Sequence, residues 1–357
     1  MKISADIVQP LLDWYDQNKR DLPWRGSGDA YRIWVSEIML QQTRAGAVKE
    51  YYRRFLDALP NVGALASADE TELLKLWEGL GYYNRVRNMQ KAAQVVTEEY
   101  EGSLPGEYEL LLKLPGIGEY TAGAIVSIAF DKPCPAVDGN VLRILARLMA
   151  DDSDIGDMTT RKAYREALCR VIPGDRPGDF NQALMDLGAM VCLPAGAPRC
   201  EECPWTKFCR ARRRGQTDRY PCKKPKAARR IEHKTVLLIR DHRHTVIRKR
   251  PGRGLLAGMY EYPTLDGWLK RKEILSFVGE LGLSPLKVSA AGEAVHIFTH
   301  KEWHMKGYLV RIEDTLESRE MKNGGLLPPG YELILPEEID DKYPLPSAFK
   351  AFRSQLG

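Results

Sequence analysis

The chain has 357 residues, 44% of them hydrophobic and 28% charged. That is enough for about two domains with sizeable cores and too ordinary a mixture for a disordered or fibrous chain. No stretch reaches the ~18 consecutive apolar residues of a membrane span. The start, MKISADIVQPLLDWYDQ, has acids and no apolar run ending in small residues, so neither a membrane nor a secreted protein is expected and the location expected is cytoplasmic.

The net charge of +5 is unevenly placed. Trp205 to Lys234 holds twelve Lys and Arg against Asp218 and Glu232, a local +10 that leaves −5 for the rest. Such a belt reads either as a polyanion-facing region or as a solvated linker.

From Ile3 to about Ala211 apolar residues recur at spacings of three and four, as in YRIWVSEIMLQQTRAGAVKEYYRRFLDAL and FNQALMDLGAMV, with Gly and Pro between the runs. This predicts an all-helical domain with short connections. Glu37 is flanked there by Ile33, Trp34, Val35, Ile38, Met39 and Leu40. A helical carboxylate in that setting lies near an apolar wall, which raises its pKa and keeps a proton available near neutral pH. The alternative is a carboxylate on the helix surface.

Further along, Leu114-Pro115-Gly116-Ile117-Gly118 follows an apolar helix end and precedes a helix expected from about Glu119. Gly116 and Gly118 let the backbone turn tightly, and the N–H groups of the next helix start then face outward as an anion site. This predicts a helix-hairpin-helix over about residues 110–130 that binds DNA phosphates without reading sequence; a plain helical hairpin is the alternative. Asp138, in CPAVDGNVLRILARLM, precedes a strongly apolar helix and on its own reads as an N-cap. Beside Glu37 it acquires a second reading, because a general acid and an ionised carboxylate are what glycosidic cleavage through an oxocarbenium-like transition state requires.

Cys192, Cys200, Cys203 and Cys209 are spaced C-x7-C-x2-C-x5-C, while Cys134, Cys169 and Cys222 are scattered. In a reducing compartment the clustering favours one metal centre over disulfides. A [4Fe-4S] cluster and zinc both remain open on spacing alone. Arg210, Arg212, Arg213 and Arg214 follow directly and could present cations to DNA phosphates. Asp218 to Arg230 (DRYPCKKPKAARR) then reads as a linker. Beyond it, short β-branched runs such as TVLLIR and YELILP surround one amphipathic segment, WLKRKEILSFVGELGL, read as a single helix ending at Gly282, so a small α+β domain is expected.

Taken together, LPWR, WVSEIMLQQT, WEGLGYYNRVRN, LPGIGEYTAG, AVDGNV, FNQALMDLGAMVC and the cysteine cluster resemble the MutY family of adenine DNA glycosylases, within the endonuclease III-like superfamily. The resemblance covers nearly the whole chain, since the second domain is similar to that family's Nudix-like module. It implies an all-α glycosylase domain over 1–218 with its cluster loop at 192–209, a basic linker over 219–231 and a smaller α+β Nudix-like domain over 232–357. The implied activity is excision of adenine mispaired with 8-oxoguanine or guanine in duplex DNA, by a monomer with one [4Fe-4S] cluster on Cys192, Cys200, Cys203 and Cys209, or zinc in its place.

By motif, the resemblance makes Glu37 the acid that protonates adenine N7 and later activates water. Asp138 becomes the carboxylate that stabilises or traps the sugar cation, with Tyr120 and Asn140 orienting both. Trp24, Arg25, Leu40 and Gln182 would line the pocket for a flipped adenine. Gln41, Gln42, Thr43 and Tyr82 would fill or probe the stack near the lesion. Phe298-Thr299-His300 stands where the family's lesion-reading loop typically has Phe-Ser-His.

One position separates the chain from the superfamily's lyases, and besides the Phe298-Thr299-His300 loop it departs from the family's pattern in two further places. Where lyase members of the superfamily carry a Schiff-base lysine, two residues past the hairpin motif, it has Tyr120, and tyrosine cannot form an imine; a monofunctional enzyme is therefore expected. The first cysteine interval is seven residues rather than six. The second domain lacks the acidic helix of a magnesium-dependent Nudix hydrolase, so it is expected to recognise 8-oxoguanine rather than hydrolyse nucleotides. Competing readings are a thymine or bifunctional pyrimidine glycosylase, a DNA-binding metalloprotein without catalysis, and a Nudix hydrolase with a helical appendage.

Overall fold

A computed structural model describes residues 3–225, 228–313 and 327–355. Chain contacts divide it into two units, Met1–Ala68 with Asn84–Lys226, and Asp69–Tyr83 with Ala227–Gly357.

The first unit is helical: α1 (Val8–Asn18), α2 (Ala30–Leu40), α3 (Ala45–Ala58) and α4 (Val62–Ser67), then, beyond α5 (Glu70–Leu76) of the other unit, α6 (Asn84–Glu99), α7 (Tyr108–Leu111), α8 (Glu119–Ala129), α9 (Gly139–Met149), α10 (Met158–Cys169), α11 (Pro177–Met190) and α12 (Arg210–Arg213). Local chemistry sets the starts that matter. The Asp29 carboxylate accepts from the N–H groups of Tyr31 (2.8 Å) and Arg32 (3.3 Å) and opens α2, and Asp138 does the same for α9. At the far end of α2, the Arg85 guanidinium donates to the carbonyls of Ile38 (2.6 Å) and Gln41 (2.7 Å), satisfying acceptors that the helix leaves open. α2 is buried almost all round, Glu37 included, and packs on α3 and α8. A second core joins α1, α9, α10 and α11 through Leu11, Leu145, Leu168 and Leu184 and takes in Trp205 and Tyr220.

In the second unit the strands are β1 (Arg230–Arg240), β2 (Thr245–Lys249), β3 (Tyr260–Glu261), β4 (Thr264–Asp266), β5 (Pro285–Ile297), β6 (Lys301–Ile312) and β7 (Tyr331–Ile334). Their order is β3-β2-β1-β6-β5, with β4 on β1 and β7 on β2. β1 runs parallel to β6 from Arg230↔Lys301 to Arg240↔Arg311, and β5 is antiparallel to β6. Alternation feeds a core on each face: Leu237, Ile239 and Val310 pack with Ile274 and Val278 of α13 (Arg271–Glu280), and Val236, Leu238 and Met305 pack with Phe349 and Phe352.

Three expectations are corrected. Residues 69–83, read as part of the first helical domain, group with the second unit, where Lys75 Nζ donates to the carbonyls of Ile339 (3.0 Å) and Tyr343 (3.2 Å). The segment read as one helix from Trp268 begins as a helix only at Arg271. Gly267 has φ +83°, the Trp268 ring lies 4.1 Å from His233, and Glu273 caps the start by accepting from the Lys270 N–H (2.6 Å). The linker read over 219–231 ends within β1, because Arg230 and Ile231 already pair with Lys301 and Glu302.

Candidate active site

The site assembles on α2, α8, α9 and α11. Gly116 makes the hairpin turn at φ +79°, where a Cβ would lie 2.7 Å from Asn88 Cβ, and Gly118 is the N-cap of α8. One residue into that helix, Tyr120 donates its hydroxyl hydrogen bond to Glu37 Oε2 and lies 3.8 Å from Met185 Sδ. The approach to Asp138 is held by Asn181 of α11, which donates to the Cys134 carbonyl (2.8 Å) and accepts from the Ala136 N–H (3.0 Å).

Glu37 and Asp138 have different surroundings. Burial pushes the Glu37 carboxyl up from 4.5 to about 7; the Tyr120 hydrogen bond opposes this, the Asp138 charge adds to it and Arg25 opposes it. Asp138 is also raised by burial, but it accepts from the N–H groups of Val141 (2.8 Å) and Asn140 (2.9 Å) and from Asn140 Nδ2 (2.7 Å), and Arg143 favours its charge. Three donors favour the ionised form, so Asp138 suits a fixed anion and Glu37 a proton carrier. Two carboxyls whose environments diverge in this way are a recurring acid and anion pair.

A cavity of about 480 Å³ is lined by Trp24, Arg25, Glu37, Leu40, Thr43, Tyr120, Asp138, Asn140 and Gln182, among others. Its size suits a small ligand. A wider groove of about 1380 Å³ shares Glu37, Tyr120, Asp138 and Asn140 with it and adds Gln41, Gln42, Gly116 and Gly118, with Arg161, Lys162 and Arg165 of α10. Trp24 is nearly buried, edge-on to Tyr52 at 5.4 Å. In the second unit, half-exposed Tyr82 meets Thr299 through their hydroxyls at 3.2 Å. Phe298 is anchored in the core, 5.0 Å from the Trp303 ring, whereas Thr299 and His300 are exposed.

Sequence reading missed three residues. Asp186, wholly buried on α11, binds Arg25 through two oxygens at 2.7 and 2.8 Å and Arg20 Nε at 2.7 Å. Arg143 donates to Asn140 Oδ1 (3.0 Å) and to the carbonyls of Gly188 (2.8 Å) and Cys192 (2.9 Å). Gly188 permits this approach, since a Cβ there would sit 2.6 Å from Asn140 Cβ. Arg147, one turn on, donates to the carbonyls of Leu193 (2.8 Å), Thr217 (2.9 Å) and Tyr220 (3.0 Å). The available signal was a pair of arginines four apart in an otherwise apolar helix.

Cys192, Cys200, Cys203 and Cys209 line one cavity with Arg147 and Arg212. Burial, helped by the neighbouring cysteines and opposed by a backbone hydrogen bond, pushes the Cys203 thiol up to about 12, and burial also raises Cys200 and Cys209. Four thiols around one cavity need a cation to ionise together, so their number and chemistry, though not their placement, suit a metal centre. Among the described residues no three His, Cys, Asp or Glu side chains form a group that could hold a metal ion. The basic belt is partly occupied within the chain: Arg219 pairs with Asp152 (2.6 Å), Lys224 with Asp157 (3.4 Å) and Arg212 with Glu201 (2.8 Å). No described helix is long and apolar enough to cross a membrane.

Two family models match, one described as HhH-GPD superfamily base excision DNA repair protein over residues 35–170 and one as NUDIX domain over 235–355. The adenine DNA glycosylase of Arabidopsis thaliana is 39% identical over 83% of this chain and 56% of its own length, so the chain spans little more than half of that relative. The adenine DNA glycosylase of Rattus norvegicus is 36% identical over 87% of this chain and 72% of its own. Among solved structures, a thermostable thymine-DNA glycosylase aligns with 31% identity and a TM-score of 0.52 over 58% of this chain and 96% of its own. A helical unit matching the HhH-GPD model, a Nudix-like unit after it, and relatives of this closeness across both make this chain a member of the adenine DNA glycosylase family.

Proposed function

We propose that this chain is a monofunctional glycosylase that flips adenine out of duplex DNA, opposite 8-oxoguanine or guanine, and hydrolyses its N-glycosidic bond. The observation that carries the reading is Glu37, a buried carboxyl held near neutrality, sharing a cavity with the hydrogen-bonded carboxylate of Asp138. Adenine leaves poorly as an anion, and a proton from Glu37 to N7 lets it leave neutral. Positive charge then develops at the sugar, and the preorganised Asp138 carboxylate opposes it. Glu37, now ionised and still bonded to Tyr120, accepts a proton from the attacking water. Tyr120 occupies the position where an imine would need lysine, so the product is an intact strand with an abasic site.

In this reading the hairpin at Gly116 and Gly118 holds the duplex, Gln41, Gln42, Thr43 and Tyr82 fill or probe the stack near the lesion, and Phe298, Thr299 and His300 read the opposite base. Cys192, Cys200, Cys203 and Cys209, which line one cavity, would hold the [4Fe-4S] cluster that the family resemblance implies, or zinc in its place. Bound there, the group would supply a rigid scaffold for the loop that carries Arg210, Arg212, Arg213 and Arg214. The chain is read as a monomer and as DNA-associated in the cytoplasm.

The test is incubation with duplexes carrying adenine opposite 8-oxoguanine, guanine or thymine, and with a thymine mispair, before and after alkali. The reading expects alkali-dependent breaks at adenine opposite the first two. Thymine release, alkali-independent breaks, or a strong borohydride-trapped adduct would overturn it.

A further inference from the structure

Asp186 has no part in the chemistry above, yet its surroundings are the most elaborate near the cavity. Its side chain is entirely out of solvent on α11 and accepts four hydrogen bonds: Arg25 Nη1 (2.7 Å) and Nη2 (2.8 Å), Arg20 Nε (2.7 Å) and the Arg20 N–H (3.1 Å). Arg25 Nη1 also donates to the Arg20 carbonyl at 2.9 Å. A buried ionic trio is costly to desolvate, and apolar residues of similar volume often hold helices together as well. Stability alone therefore does not account for it.

Both arginines line the cavity that Glu37 lines, together with Arg44 at the approach to α3. The groups acting on Glu37 are Tyr120 from α8, Asp138 from the start of α9 and Arg25 from the loop before α2, and Arg25 is the cation among them. Unopposed cations beside a general acid favour its ionised form and so remove the proton that the reaction needs. We propose that Asp186 is a positioning residue that holds Arg25 and Arg20 and cancels their field, so that Glu37 keeps the proton it delivers to the leaving base. The inference rests on the reading of Glu37 as that donor. Arg20, Arg25 and Asp186 together carry one net positive charge; Asp186→Asn raises this to two, and Arg20→Gln lowers it to none.

The test is the pH profile of single-turnover adenine release by the full chain on an adenine:8-oxoguanine duplex from about pH 5 to 9. With Glu37 titrating at about 7, the wild-type rate is expected to fall as pH rises through that value. Asp186→Asn is expected to move that fall down by about one pH unit, a roughly tenfold deficit at pH 8 with little at pH 5. Arg20→Gln moves it up, and Asp186→Glu, which keeps the charge, leaves it in place. A purely structural role lowers the rate at every pH without moving the profile, and that result in both Asp186→Asn and Arg20→Gln overturns the proposal. If Asp186→Asn does not fold, Arg20→Gln decides alone: an unmoved or lowered profile overturns it. If the wild type releases no adenine at any pH, the functional reading has failed. The infrared carboxyl titration of Glu37, taken as the difference from Glu37→Gln, then reads the same displacements without turnover.

Discussion

Replacing Glu37 by Gln separates the cost of the acid from its use. In the folded chain its carboxyl titrates at about 7, against 4.5 for an unburied glutamate, with burial the main cause. As pH rises from 4.5 towards 7, the unfolded chain gives up this proton while the folded chain retains it. Stability therefore falls across that window and is level above it. A difference of about 2.5 units at 1.36 kcal/mol each amounts to ~3 kcal/mol. Glutamine keeps the shape and can still accept from Tyr120, but it has no proton to lose. Glu37→Gln should therefore exceed the wild type by ~3 kcal/mol at pH 8 and by less than ~1 kcal/mol at pH 5. Denaturant unfolding followed by helical circular dichroism at the two pH values reads this directly. A difference that is constant with pH, or a wild type that gains on the variant as pH rises, would refute the assignment of Glu37 as a buried, protonated acid.

Asp138→Asn should lower single-turnover adenine release by about 10²–10³-fold while duplex binding by gel shift persists; a rate within a few-fold of wild type would remove Asp138 from the chemistry. Arg143→Ala leaves Asn140 Oδ1 and the carbonyls of Gly188 and Cys192 without their donor, and should cost about 2–4 kcal/mol by unfolding. The pair Arg161→Ala and Lys162→Ala, on the wall of the groove, should reduce the slope of log binding constant against log salt by about 1.8 if both meet duplex phosphates, and an unchanged slope would place the DNA elsewhere.

Glu37 was legible because its neighbours are apolar on both sides along the chain, and a helix carries that pattern directly into burial. Asp138 was legible as an N-cap, and it is one; the same hydrogen bonds that cap α9 hold its carboxylate in the cavity. Asp186 was not legible, because its meaning lies in Arg25 and Arg20, which are 161 and 166 residues away in the chain. An acid in a helix otherwise reads as solvated. Residues 69–83 show the same limit: periodicity gives α5 its helix, but only the bonds from Lys75 to Ile339 and Tyr343 determine which core it joins. Arg143 and Arg147 look like surface charges by composition, and their true partners are backbone carbonyls of the cysteine loop and of residues beyond it.

The central claim is that Glu37 protonates adenine so that it can depart. Chromatographic measurement of free adenine released in a single turnover from an adenine:8-oxoguanine duplex, for the wild type and Glu37→Gln side by side at pH 6, tests it most directly. The expected result is one adenine per bound wild-type molecule and a rate at least about 10²-fold lower for the variant. Release of another base, or a Glu37→Gln rate within a few-fold of the wild type, would contradict it.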